Sequence, residues 1–137
     1  MVRPIITDIF SLNRRAVPAG LEDLATARDL LDTLSANLDR CVGMAANMIG
    51  VNKRIIAVSL GGIPVVMLNP VIVKRSPETY ETEEGCLSLS GMRKTIRYQC
   101  IEVTYQDMAF QSHRQTYSGF TAQVIQHEVD HCEGILI

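Results

Sequence analysis

Five consecutive residues near the end of the chain, His127-Glu128-Val129-Asp130-His131, have the types and spacing of a metal-dependent hydrolytic site. Two histidines four positions apart stack on one face of an α-helix, where both imidazoles can reach one cation. Glu128, beside the first of them, is placed to take a proton from a metal-bound water. Two imidazoles do not complete such a site, which usually has three protein ligands and an open position. The third histidine, His113, lies in the polar stretch Gln111-Ser112-His113-Arg114-Gln115 and reads as a solvated loop or strand residue. No H-x-x-G-x-x-H follows His131, so the long zinc-protease pattern is absent. Carboxylates and cysteines remain as candidates for the third ligand. Cys86, in Glu83-Glu84-Gly85-Cys86-Leu87-Ser88, stands out because Gly85 permits a backbone turn beside it. A lone cysteine is more often a small buried hydrophobe than a ligand, so spacing alone does not make Cys86 the third ligand.

These groups need a scaffold. Over residues 120–131, Phe120, Val124, His127 and His131 share one helical face, and Ala122, Ile125, Val129 and Cys132 form another. A helix apolar on more than one side is buried inside a domain. Gly134 suits its C-terminal stop. Phe120 and Val124 precede His127 by about two turns and one turn on the same face, so they are placed to line an apolar pocket beside a metal. From Glu22 to Leu38, Leu24, Ala27, Leu31, Leu34 and Leu38 make an amphipathic stripe. The first twenty residues, with Pro4 and Pro18, read as an irregular arm. Strands are expected at residues 55–59, 64–73, 101–105 and 111–117, punctuated by Gly61-Gly62, Pro64 and Asn69-Pro70. They follow one another without a helix between each pair, which excludes a doubly wound parallel sheet. The expected fold is α+β: mainly antiparallel strands packed around a buried C-terminal HExxH helix, plus an N-terminal amphipathic helix.

A length of 137 residues fits a single domain, 1–137. With 47% hydrophobic and 20% charged residues, the composition argues against wholesale disorder. Thirteen Lys and Arg against fifteen Asp and Glu exclude a strongly basic nucleic-acid binder. The apolar stretches near Ile55 and Val71 fall far short of the ~20 residues that a bilayer span needs, and residues 1–10 lack the pattern expected of a secretory signal. Cys41, Cys86, Cys100 and Cys132 are widely spaced with no C-x-x-C pair, which points to a reducing, cytoplasmic compartment.

Three separated segments resemble those of the peptide deformylase family. They are Glu84-Gly85-Cys86-Leu87-Ser88, Gln126-His127-Glu128-Val129-Asp130-His131 and, more loosely, Val42-Gly43-Met44-Ala45-Ala46-Asn47-Met48. Their order and approximate spacing match too, and the resemblance spans nearly the whole chain. It implies hydrolytic removal of the formyl group from N-formylmethionyl peptides of newly made proteins, with transient ribosome association. It implies one divalent ion, Fe²⁺ or Zn²⁺, held by Cys86, His127 and His131; a thiolate ligand suits these better than Mg²⁺ or Ca²⁺. Glu128 would be the acid/base residue, and the backbone N–H of Leu87 would face the oxyanion. Gly43 resembles the family's main-chain contact to the peptide. Glu84 and Asp130 are candidates for orienting the imidazoles. An additional C-terminal helix found in many deformylases is expected to be lacking.

One departure stands out. The family's first segment usually runs G-x-G-L-A-A-x-Q, whereas here Cys41, Met44 and Met48 replace the first Gly, the Leu and the Gln. The Gln amide helps hold the oxyanion, and a thioether cannot donate a hydrogen bond. Losing one such donor costs about 2.7–4 kcal/mol, a factor of ~10²–10³ in rate. A second reading follows: a deformylase-like metal-binding protein with weak or no catalysis. A third, a short zinc peptidase, rests on the helix motif alone and is disfavoured by Cys86 in its matching segment.

Overall fold

Val- and Ile-rich segments that alternate or run continuously can be buried on one or both faces of a sheet. In the computed structural model, which describes residues 1–137, they do both. β2 (Ile55–Leu60) and β3 (Ile63–Arg75) form a hairpin across Gly61-Gly62. Both glycines have positive φ, +61° and +87°, as a two-residue hairpin turn favours. β1 (Gly43–Ala45) pairs with the other edge of β2, while β6 (Cys100–Gln106) and β7 (Ser112–Ser118) extend the sheet beyond β3. The strand order is β1-β2-β3-β6-β7, antiparallel throughout. β4 (Thr79–Cys86) and β5 (Leu89–Tyr98) make a separate two-stranded sheet that the residue pattern does not announce.

Helices cover both faces of the larger sheet. α2 (Leu24–Ala36) packs Ala27, Leu30 and Leu34 with Ile55, Ala57, Val66 and Leu68. α3 (Gly119–Cys132) packs Ala122, Ile125 and Val129 with Ile56, Val58, Met67 and Val103 on the other side. The period of two along β2 sends alternate residues to the two cores, so Ile55, Ile56, Ala57 and Val58 are all buried. The buried face of α2 is rotated from the expected stripe: Leu30 and Thr33 are buried and Leu38, past the helix end, is exposed. Thr33 turns inward because its hydroxyl is satisfied there, donating to the Asp29 carbonyl and accepting from the Arg3 N–H.

The N-terminal arm is more ordered than expected. Asp8 caps a short helix, α1 (Ile9–Leu12), through the Phe10 N–H, and Leu12, Ala16 and Ala19 are buried. The Ala16 N–H donates to the Cys132 carbonyl and ties the arm to the end of α3. α3 stops at Gly134 (φ +76°), where a Cβ would come within 2.8 Å of the Arg14 backbone. No helix is long and apolar enough to cross a membrane.

Ile125 is fully buried at the centre of the α3 core. Ile125→Ala should lower the unfolding free energy by about 2–5 kcal/mol in urea titration; a loss well under 1 kcal/mol would contradict the packing described.

Candidate metal centre

α3 aims His127, Glu128 and His131 inward from a buried helix. The two imidazoles lie one turn apart, with ring centroids 5.0 Å apart and Nε2 atoms 3.3 Å apart. Cys86 ends β4 just before the tight connection to β5, and its Sγ lies 3.4 Å from His131 Nε2. The ligand atoms of Cys86, His127 and His131 all lie within 4.8 Å of one another. His127 Nδ1 is 2.7 Å from Glu84 Oε1. An ionised carboxylate only accepts, so Nδ1 donates and Nε2 is the nitrogen turned toward Cys86 and His131. Electron-pair donors converging in this way are stabilised by a cation between them. A thiolate with two imidazoles fits a borderline or soft divalent ion rather than a hard one.

Charge around the three donors is arranged accordingly. Glu84 is held at about 2: the Arg97 and His127 hydrogen bonds overcome the opposing effect of burial. Burial disfavours charge on His127, but Cys86, Glu128 and Glu84 outweigh it and raise its pKa to about 10. The surroundings that favour a proton there favour any other cation placed between the same donors. His131 is held near 3 by burial and by the charges of His127 and Arg97. Its Nδ1 is buried without a hydrogen-bond partner, and its Nε2 faces the other two donors.

Glu128 is buried, and burial raises its carboxyl to about 7. Its Oε1 has no hydrogen-bond partner. A Cβ on Gly43 would meet Val124 Cγ1 at 2.7 Å and Glu128 Oε2 at 2.8 Å. Only glycine lets β1 approach α3 this closely. A cavity of about 430 Å³ opens in front of these groups, lined among others by Cys41, Gly43, Met48, Cys86, Leu87, Phe120, Val124, His127 and Glu128. Of the site residues expected from the sequence, His131, which is fully buried, and Asp130 lie off this wall, and the others are on it. Phe120 forms part of the rim and is 65% exposed. His113 is elsewhere, on β7, with Nε2 2.7 Å from Asp107 and its ring stacked on Tyr105. The Asn47 amide donates to the carbonyls of His131 and Leu12, away from the cavity. Met48 Sδ accepts the Ala45 N–H at 3.4 Å.

Two features are not visible in the residue pattern. One is Arg97, which is 4% exposed and grips Glu84 through Nε (2.9 Å) and Nη2 (2.6 Å) and Asp130 through Nη1 (2.6 Å). Glu84 and Asp130 thus meet on one guanidinium, with Glu84 also against His127. The second feature is Cys41, half-buried on the cavity wall, whose thiol is raised by burial to about 11.

Comparison with known proteins identifies the family. Residues 11–137 match the family model for polypeptide deformylase. A peptide deformylase of Clostridium beijerinckii is 55% identical over 137 residues, 100% of both chains. The chain belongs to the peptide deformylase family. Another member, from Picosynechococcus, is 37% identical over 116 residues, which is 80% of this chain and 61% of that one. The fold superposes on a class I type b peptide deformylase of Acinetobacter baumannii solved with Met-Ala-Ser bound. Its TM-score is 0.88 at 31% identity, over 99% of this chain and 97% of that one. A Thermotoga maritima deformylase gives 0.88 at 33% identity, over 99% and 94%. The α+β architecture expected from the strand and helix pattern is thus that of the deformylases.

The Glu84 carboxyl, held at about 2 against an ordinary 4.5, links folding to pH. Its contribution is complete above about pH 4.5 and is lost as pH falls toward 2, on the order of 3 kcal/mol. Urea titrations across that window should show a steeper loss for the wild type than for Glu84→Gln. Parallel curves would assign the acid sensitivity to other groups.

Proposed function

We propose that this chain, acting as one domain, is a metal-dependent deformylase that hydrolyses the formamide of N-formylmethionyl peptides. The observation that carries the reading is the convergence of one thiol and two imidazoles beside a buried carboxylate, at the wall of an open cavity. Cys86, His127 and His131 are the residues that would hold the ion, Fe²⁺ or Zn²⁺ by their donor chemistry. Such an ion, when bound, acidifies water and polarises a carbonyl oxygen.

The remaining steps belong to the chain's own groups. Glu128 accepts the proton of the attacking water and delivers it to the leaving amine; a carboxyl near 7 suits both transfers at neutral pH. The Leu87 N–H donates to the formyl oxygen as negative charge develops there. Gly43 lets a peptide lie against the β1 backbone, and Val124 supplies apolar wall for a methionine side chain. Met48 lines the same cavity without offering a donor, which supports a turnover below that of a Gln-bearing site. Met-Ala-Ser, the peptide bound in the Acinetobacter structure, is what formyl-Met-Ala-Ser leaves once formate departs. Nascent chains carry such N-termini, so transient ribosome association in the cytoplasm belongs to the same proposal.

Formate release from formyl-Met-Ala-Ser, measured anaerobically with the Fe²⁺-loaded protein, tests it. Wild type should turn over, and Glu128→Gln should retain the metal and slow by about 10²–10⁴-fold. No formate from loaded wild type would sink the reading. Met48→Gln should accelerate the reaction, toward the ~10² expected of one restored oxyanion donor; equal rates would show that Met48 is no handicap.

A further inference from the structure

The three converging donors sit on two elements that share no strand pairing. Cys86 belongs to the β4–β5 hairpin, which lies outside the five-stranded sheet, and both histidines belong to α3. Their convergence therefore depends on how the hairpin seats against the helix. Few polar links cross that boundary. Gln126 on α3 accepts from the Tyr98 N–H and donates to the Tyr98 carbonyl, both at 2.9 Å. The Tyr80 hydroxyl donates to Gln123 at 3.0 Å. Arg97 differs from these in touching the groups next to the donors themselves. Its planar fork holds both oxygens of Glu84 on β4, two residues before Cys86, and with the remaining nitrogen holds Asp130 on α3, one residue before His131. Glu84 in turn takes the His127 Nδ1–H.

We infer that Arg97 is a positioning residue of the metal centre: its buried guanidinium locks Glu84, and through it the His127 ring, while seating the Cys86 hairpin against α3. The rigid geometry of the fork is essential. A lysine keeps the charge but has one nitrogen, which cannot hold both Glu84 oxygens in plane and Asp130 as well. Partners of this kind typically change metal affinity by about 10–100-fold. The inference rests on reading Cys86, His127 and His131 as the ligands.

Co²⁺ is a suitable probe, since its thiolate charge-transfer band reports Cys86 directly. Affinity is measured by chelator competition on wild type, Arg97→Lys, Asp130→Asn and Tyr80→Phe, alongside the thermal midpoint of each metal-stripped protein. Arg97→Lys should bind Co²⁺ about 10–100-fold more weakly, with a shifted or weakened thiolate band. Asp130→Asn should show a smaller loss of the same kind. Tyr80→Phe, which removes another hairpin–helix bond, should lower the midpoint and leave affinity and band unchanged. If Arg97→Lys binds Co²⁺ within about two-fold of wild type with the same band, the positioning role is wrong while the metal reading stands. If Arg97→Lys does not fold, Asp130→Asn decides by the same two readouts. Wild type that binds no Co²⁺ overturns both.

Discussion

The structure depends on one constraint: three electron-pair donors from two separate elements must meet at one buried point without a covalent link between those elements. Bringing a sulfur and two imidazole nitrogens together is unfavourable in a low-dielectric interior unless positive charge compensates. The protein answers in two ways. It provides a helix rigid enough that two of the donors have almost no freedom left, and it surrounds them with carboxylates that favour a cation. The raised pKa of His127, to about 10, is the same preference expressed with a proton.

Close packing carries that constraint outward. α3 must lie deep in the core to bury His131 completely, so it needs apolar residues on more than one side, and Ala122, Ile125, Val129 and Cys132 supply them against β2, β3 and β6. β1 must then pass close to Glu128, where the absent Gly43 side chain makes room and leaves the carboxylate open to the cavity rather than covered. The β2–β3 hairpin supports both helices at once because its alternate residues enter separate cores.

The parts legible in the sequence are those where local chemistry and pattern agree. His127, Glu128 and His131 are read from spacing alone, α3 from its apolar faces, β2 and β3 from β-branched runs and turn residues, and β6 from its alternation, while the polar β7 carries the weakest signal. Cys86 needed its resemblance to a known segment, because nothing in spacing ties residue 86 to residue 131. The β4–β5 hairpin was not legible because its pattern is inverted. Met92 and Ile96 face solvent, 62% and 64% exposed, while Arg97 on the opposite face is buried. A hydrophobicity rule points such a strand the wrong way. The buried side is polar because it meets Glu84 and Asp130, at the polar back of the candidate metal centre, and a charge is admitted there only because two carboxylates are waiting for it. The rotation of α2 has a similar origin: Thr33 enters the core because its hydroxyl finds partners there.

Two carboxylates near the same imidazoles end with opposite characters. Glu84 grips a guanidinium and an imidazole and stays ionised at about 2. Glu128 is as thoroughly buried, lacks any such partner for Oε1, and rises to about 7. Environment alone separates them, and in the proposed reaction the separation would divide the labour: one carboxylate holds a ring in place, the other keeps a proton that can move. Exchange of the two roles is blocked by position. Glu84 sits behind His127 with its oxygens filled by Arg97, whereas Glu128 faces the cavity across the bare backbone of Gly43. A substitution that relieved Glu128 of its burial would lower its pKa and weaken it as a proton acceptor at neutral pH. The close packing of β1 on α3 would therefore belong to the proposed chemistry as much as to the fold.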